Sequence, residues 1–322
     1  MTNPTTTIAW PRNLLRPSDL TRMAVDELLR LAGRMKAEPA GWTDALPGTS
    51  LACLYEIPTT RAGVSVQTAA HRLGMLPITI RPDELRRGGG ETVEDAARIL
   101  SGLAAAVAVR DVGDPTLGTM ARTATVPVIN TMSPEHHPCQ ALADLMTLRD
   151  RLGRLDGLVL AYVGVATSIS RSLMQAGALA GLHVRLACPP EDRPDDGEAQ
   201  AADALAGVHG GSVAVMDAPA EAVSGADAVY TAPWPQPADA AERRDLHERL
   251  RRYRVNSALF ARARPGAIFL HALPVHRDQE VSATIVDGPR SVVWEQAVNR
   301  VPTEQAVIYA LVRAGRDGGH ER

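Results

Sequence analysis

Lysine is all but missing from this 322-residue chain: Lys36 is the only one, and almost all other basic charge is arginine. That excludes a Walker-type phosphate loop and Schiff-base chemistry, unless Lys36 itself serves, and it sits in a polar helical stretch. Aromatic residues make up 3% of the chain, so its cores must be built from Leu, Val and Ala. The three cysteines, Cys53, Cys139 and Cys188, are odd in number, far apart and set among apolar residues. They form no disulfide framework and no zinc spacing, and they read as reduced thiols of a cytoplasmic protein. No apolar run reaches membrane length, and the N-terminus has no apolar signal core. The formal charge of −3 leaves no footprint for nucleic acid. No G-x-G-x-x-G fingerprint follows the first strands, which speaks against a nucleotide-binding α/β enzyme.

What is present is a regular alternation. Apolar runs at 50–56, 78–80, 104–109 and 126–130 read as strands, with helical patterns at 62–74, 92–103, 115–122 and 138–152 between and after them. Ahead of these, Pro17-Ser-Asp-Leu opens a helix with Ser18 as its cap. After Gly153 the pattern restarts, with strands at 158–163, 184–187, 212–215, 228–231 and 267–270. Helices are expected at 170–182, 198–207, 218–224 and 302–314, with a polar helical stretch at 239–262. Strands alternating with helices mean parallel sheets. The expected fold is α/β: two doubly wound parallel-sheet domains with a cleft between them, hinged near the helix 138–152.

Polar residues collect where these strands end, which is where open parallel sheets bind ligands. The first such stretch is Leu51 to Ser65. Its strand stops at Pro58, Thr59 and Thr60 follow, then Arg61 at a helix start. Helix N-termini favour anions, and an arginine fork grips two phosphate oxygens. Alone, the stretch reads more readily as a capped helix with a surface arginine. Further clusters are Arg110-Asp111, His136-His137-Pro-Cys-Gln140, Gly164 to Ser168 and His271 to Pro274. Taken singly, His137 is a core histidine or cap and Arg110 a strand-end salt bridge. Cys139 reads as packing. Together they argue for one site.

The combination resembles the aspartate/ornithine carbamoyltransferases, closest to the ornithine branch, over nearly the whole chain. The residues that carry it are Glu56-Ile-Pro-Thr-Thr-Arg61, Gly89 to Leu100, Val109-Arg110 and Pro127-Val-Ile-Asn130. The most specific block is His137-Pro-Cys-Gln-Ala-Leu-Ala-Asp144. Leu160 to Gly164, Val229-Tyr-Thr231 with Trp234, His271-x-Leu-Pro274, Glu280-Val and Asn299-Arg300 complete the match.

The resemblance implies a carbamoyl-phosphate-binding domain at 1–150, completed by the C-terminal helix 302–316, and an acceptor-amine-binding domain at 151–301. It places Thr59, Thr60, Arg61 and Ala62 on the phosphate. Arg110 bridges phosphate and carbonyl oxygen, and His137 polarises the carbonyl. Gln140 and the Leu273 backbone carbonyl take the amino group, and Arg300 completes the charge balance. Arg110, His137 and Gln140 are the expected catalytic residues. No metal and no organic cofactor is implied. The expected assembly is a homotrimer, each site finished by the neighbour's Pro82–Gly90 loop through Arg86 or Arg87.

The chain departs from the family pattern in places. Ala62 stands where a hydroxyl usually donates to the carbonyl oxygen. Val165-Ala-Thr-Ser168, Ala232-Pro-Trp-Pro-Gln-Pro-Ala238, Ala272 and Val275 replace the residues that hold ornithine or aspartate in the family. The expectation is therefore an acceptor that is neither ornithine nor aspartate. A small or carrier-bound amine of specialised metabolism would be held by Thr167, Ser168, Arg171, Gln236 and Ala272, with His276 and Asp278 nearby. The alternative is an inactive paralogue that binds carbamoyl phosphate as a regulatory or assembly subunit.

Overall fold

The computed structural model describes residues 8–57, 59–81 and 90–317. In order, the elements of the first half are α1 (Arg22–Ala37), β1 (Ser50–Tyr55), α2 (Arg61–His71), β2 (Leu76–Ile80), α3 (Val93–Leu103), β3 (Ala106–Arg110), α4 (Asp114–Thr123), β4 (Val128–Met132) and α5 (Pro138–Leu152). The second half has β5 (Val159–Val163), α6 (Ser168–Leu179), β6 (His183–Ala187), α7 (Asp196–Val208), β7 (Ser212–Met216), α8 (Pro219–Val223) and β8 (Ala228–Thr231). It closes with α9 (Ala240–Leu250), α10 (Ser257–Phe260), β9 (Ile268–His271), α11 (Ala283–Val286) and α12 (Val293–Asp317).

Two compact units result: residues up to Leu142 with those from Arg300 onward, and Ala143–Asn299. The borders fall inside α5 and inside α12, whereas the sequence reading put them at 150/151 and 301/302. Each unit holds one parallel sheet, so the two-domain α/β class expected from the sequence is the one observed. Strand order is β2-β1-β3-β4 in the first unit and β7-β6-β5-β8-β9 in the second.

In the first unit, Leu51, Cys53 and Tyr55 of β1 lie opposite Ala106, Ala108 and Arg110 of β3. Successive residues of β3 are buried on both faces, as parallel strands covered on both sides must be. The core joins Leu54, Val107, Val109 and Val128 to Leu100 of α3 and Leu117 and Met120 of α4. The register between β3 and β4 shifts after Val109, so that Arg110 pairs with Met132. The shift lies where the strand ends and Arg110 leaves the sheet. In the second unit the scarce aromatics gather: Tyr162 and Tyr230 stack at 6.0 Å, and Phe260 meets Phe269 edge-on at 6.3 Å.

Three elements differ from expectation. Pro17–Asp19 is only a short 3₁₀ turn; α1 starts at Arg22, and Thr21, not Ser18, caps it by accepting from Ala24 N. Asp19 accepts the Leu15 and Arg16 amides at 2.7 and 3.0 Å, which caps the start of that turn. The 239–262 stretch is broken after Leu250, and Asn256 caps the separate α10. The last helix begins at Val293 and carries Pro302 inside it. An interior proline costs about 3 kcal/mol. Here the turns around it are fully engaged, with Gln296, Asn299, Arg300, Thr303 and Glu304 all buried, and that packing offsets the lost bond.

Candidate functional site

The expected phosphate residues lie at strand ends of the first unit. β1 ends at Tyr55, and the Glu56 amide donates to the Arg110 carbonyl at 3.1 Å, which ties the end of β1 to the end of β3. Thr59 and Thr60 lead into α2. Thr60 is its N-cap residue but makes no side-chain cap, so its hydroxyl does not serve the helix. The first turn of any helix leaves amide donors without helical partners. Arg61 is exposed at that turn, while Ala62 behind it is buried. Ser65, the nearest hydroxyl that could replace one at 62, donates back to the Ala62 carbonyl at 3.2 Å.

Arg110 is largely buried, its side chain 16% exposed, with Nε 3.0 Å from the Asp111 carboxylate. Burial lowers its pKa below the ordinary guanidinium range; Asp111 opposes this, and Arg300 and Arg61 add to it. Arg300 of α12 and Arg61 at the start of α2 therefore both act electrostatically on Arg110 at the end of β3. A guanidinium stays charged even so, and a concentration of positive charge in a partly desolvated place is what a phosphate dianion requires.

His137 sits immediately before α5 and is 4% exposed. Burial pushes its imidazole well below the usual range, and Arg300 and Arg110 push it further. It is a neutral imidazole at pH 7, able to donate a hydrogen bond from one nitrogen. The loop that delivers it is tied down by hydrogen bonds. Asn130 Nδ2 donates to the Leu15 carbonyl at 2.7 Å and to Ser133 Oγ at 3.1 Å. Ser133 Oγ donates to Asp114 at 2.9 Å, and Asp114 also accepts the Glu135 amide at 3.2 Å. Gln140 follows in the first turn of α5, 6% exposed. Cys139 beside it is buried, and burial raises its thiol pKa far above the physiological range. That makes it packing, not a nucleophile.

Arg300 on α12 is held by Glu304 one turn on, whose Oε1 lies 3.2 Å from Nε and 2.5 Å from Nη2. Sequence reasoning missed Glu304 and Asp114, and named Asp111 only as a member of the Arg110-Asp111 cluster. The Arg-x-x-x-Glu spacing on a helix was the available signal for the first.

The second unit places the expected acceptor residues at the ends of its own strands. Gly164 follows β5 at φ 137°, and a Cβ there would meet Thr231 Oγ1 at 3.5 Å and Trp234 Nε1 at 3.7 Å. Thr167 caps α6, accepting from Ile169 N at 3.3 Å. Ser168 is buried in that first turn. Arg171 is paired with Glu198 at 3.2 Å. Gln236 donates to Gln279 at 3.0 Å and to the Trp234 carbonyl at 3.3 Å. Asp278 is paired with Arg254 at 2.8 Å. Thr167, Arg171 and Gln236 thus already serve the unit's own structure.

Beyond β9, Ala272 is buried and Leu273 begins a turn through a cis Leu273–Pro274 bond. That turn is framed by a buried carboxylate. Glu280, 0% exposed, accepts the His276 amide at 2.5 Å and faces His271 Nε2 at 3.2 Å. Gln296 accepts the His271 amide at 2.9 Å and donates to Asp144 at 2.7 Å. Arg86 and Arg87, the expected contribution from a neighbour, lie outside the described residues. Among the described residues no group of three or more His, Cys, Asp or Glu is placed to hold a metal ion.

Comparison with known proteins agrees with this layout. Residues 12–150 match the family model "Aspartate/ornithine carbamoyltransferase, carbamoyl-P binding domain", and residues 156–311 match "Aspartate/ornithine carbamoyltransferase, Asp/Orn binding domain". An ornithine carbamoyltransferase of Parafrankia sp. (strain EAN1pec) is 40% identical over 304 residues, 94% of this chain and 96% of that one. The Bacillus subtilis (strain 168) ornithine carbamoyltransferase is 36% identical over 311 residues, covering 97% of each. The solved ornithine carbamoyltransferase from Pyrococcus furiosus superposes with a TM-score of 0.89 at 36% identity, over 94% of this chain and 97% of that one.

These relatives overturn the expectation of an acceptor other than ornithine, and with it the specialised-metabolism reading. The error has a physical source. It equated the loss of particular side chains with the loss of polar groups. The ends of β5, β8 and β9 keep hydroxyl, indole, imidazole, carboxylate and backbone groups at Thr167, Ser168, Thr231, Trp234, His271 and Glu280.

Proposed function

This chain belongs to the aspartate/ornithine carbamoyltransferase family and is a carbamoyltransferase of amino-acid metabolism, and from that premise we propose that it transfers the carbamoyl group of carbamoyl phosphate to the side-chain amine of ornithine. The observation that carries this reading is the electrostatic cluster of Arg61, Arg110, Arg300 and a neutral His137 in the first unit, in a chain whose relatives bear the ornithine name. The inactive-paralogue alternative loses its ground to relatives that bear the name of an ornithine carbamoyltransferase.

In the proposed reaction, Thr59, Thr60, Arg61 and the Ala62 amide hold the phosphate, and Arg300 balances its charge. Arg110 spans phosphate and carbonyl oxygen. His137 donates to the carbonyl oxygen as neutral imidazole. Gln140 and the Leu273 carbonyl accept from the carbamoyl amino group. The neutral amine attacks the carbonyl carbon, and the oxyanion that forms is stabilised by Arg110 and His137. The carbon–oxygen bond to phosphate then breaks, and the amine's proton passes to a phosphate oxygen. Much of the acceleration comes from holding amine and donor in register.

We place the protein in the cytoplasm, where its buried thiols stay reduced; among the described residues no helix is long and apolar enough to cross a membrane. We also infer a homotrimer, with the 82–90 loop serving a neighbour's site. The support is an edge strand, β2, that exposes Leu76 and Ile78 (64% and 44%), an apolar face that a second copy would cover. The test of function is phosphate release from carbamoyl phosphate with and without ornithine, with Arg61→Ala as control. Ornithine-dependent release that Arg61→Ala abolishes supports the reading; release indifferent to ornithine defeats it.

A further inference from the structure

We propose that Glu304 is a positioning residue of the phosphate site, acting through Arg300; the inference rests on Arg300 being a carbamoyl-phosphate ligand. Glu304 is 1% exposed, and the side chain it grips is itself 9% exposed. A carboxylate so deeply buried is costly unless paired. Its pairing runs along two of the guanidinium nitrogens, Nε and Nη2. That fixes the plane of the fork as well as the position of its charge.

The need for such a device follows from the charge distribution. Arg61 and Arg300 both act as like charges on Arg110, and a bound phosphate would offset that repulsion. Arg110 has the Asp111 carboxylate at 3.0 Å, and Arg300 has Glu304. Without Glu304, Arg300 would lose the carboxylate that orients its fork beside Arg110, and that orientation would have to be recovered on binding. A side chain ordered beforehand spares that ordering cost. The carboxylate also repels phosphate. It is in hydrogen-bond contact with Arg300, so from the ligand the two look like a dipole, whose field dies away faster than that of a lone charge. Orientation therefore outweighs repulsion.

The test is a double-mutant cycle with Glu304→Gln and Arg300→Gln. Initial rates are measured against carbamoyl phosphate at saturating ornithine, and inhibition by inorganic phosphate is measured alongside. Glu304→Gln is expected to raise the KM for carbamoyl phosphate and the Ki of phosphate together, on the order of tenfold, the size of one charge-assisted hydrogen bond. The KM for ornithine stays unchanged. In the Arg300→Gln background the rise disappears: Glu304→Gln there lowers the KM or leaves it level, because the carboxylate it removes is no longer offset by a guanidinium. Should Glu304→Gln fail to fold, Glu304→Asp carries the test, with a smaller parallel rise expected. Unchanged constants, or the same factor in both backgrounds, overturn the proposal. If Arg300→Gln alone leaves the KM for carbamoyl phosphate untouched, the assignment of Arg300 falls, and this proposal with it.

Discussion

The Asp111 carboxylate lies 3.0 Å from Arg110 Nε, on a residue whose own backbone sits at φ 59°. A side chain that supplies the counter-charge is thus carried by a backbone conformation that most L-residues avoid. Aspartate tolerates this region better than alanine does, and glycine tolerates it best. Asp111→Ala and Asp111→Gly remove the same carboxylate. Asp111→Gly is expected to be more stable by about 1 kcal/mol, the cost of left-handed backbone with a Cβ. Urea unfolding of the two variants checks this, and equal midpoints would argue against backbone strain at this position.

His137 and His271 are both held below the ordinary value of 6.5 by burial, aided at His137 by Arg300 and Arg110 and opposed at His271 by Glu280. Below about pH 6.5 the unfolded chain takes up protons that the folded chain refuses. Stability is therefore complete above that pH and is lost as pH falls, with a limiting slope of ~1.4 kcal/mol per pH unit for each group. His137→Gln is expected to lower the acid slope by one proton's worth in urea melts between neutrality and mild acid. A slope unaltered by the substitution would mean that His137 titrates normally.

In the proposed reaction Ala62 offers the carbonyl oxygen no side-chain donor, and Ser65 donates to the Ala62 carbonyl instead. A single donor of this kind is worth roughly 3 kcal/mol of transition-state stabilisation when fully aligned. Ala62→Ser adds one oxygen at a position 2% exposed. The expected result is a higher kcat with little change in the KM for ornithine. A fall in kcat at unchanged stability would show that the space beside residue 62 is already used by the reaction.

Burial raises the thiol pKa at all three cysteines, to about 12 at Cys53 and Cys188. The native protein should react with a disulfide reagent such as DTNB only after unfolding, and Cys139→Ala should keep its activity. Rapid labelling of the folded protein, or loss of turnover in Cys139→Ala at normal stability, would reopen a role for the thiol.

The fold was legible because its signal is coarse. Strands buried on both faces, such as Val159–Val163, read as apolar runs, and the alternation with helices implies parallel sheets. Boundaries were less legible where packing overrides local preference: Pro302 looked like a helix start because its lost bond is offset only by distant contacts. Two of the proposed donor residues, His137 and Gln140, stand in the most specific block of the resemblance, His137 to Asp144. Two supports were not visible. Asp114 and Glu304 act through distances of about 3 Å that only the folded chain creates. The acceptor reading failed because residues missing from a motif say little about which groups a strand end still presents.

The most direct measurement follows the carbamoyl carbon itself. Carbamoyl phosphate labelled with ¹³C is incubated with the protein and ornithine, and the label is tracked by NMR. The account predicts that the label moves to a ureido carbon on the side-chain nitrogen of ornithine, with one phosphate released for each transfer. Label that stays on carbamoyl phosphate, or appears only in its hydrolysis products whether or not ornithine is present, would contradict it.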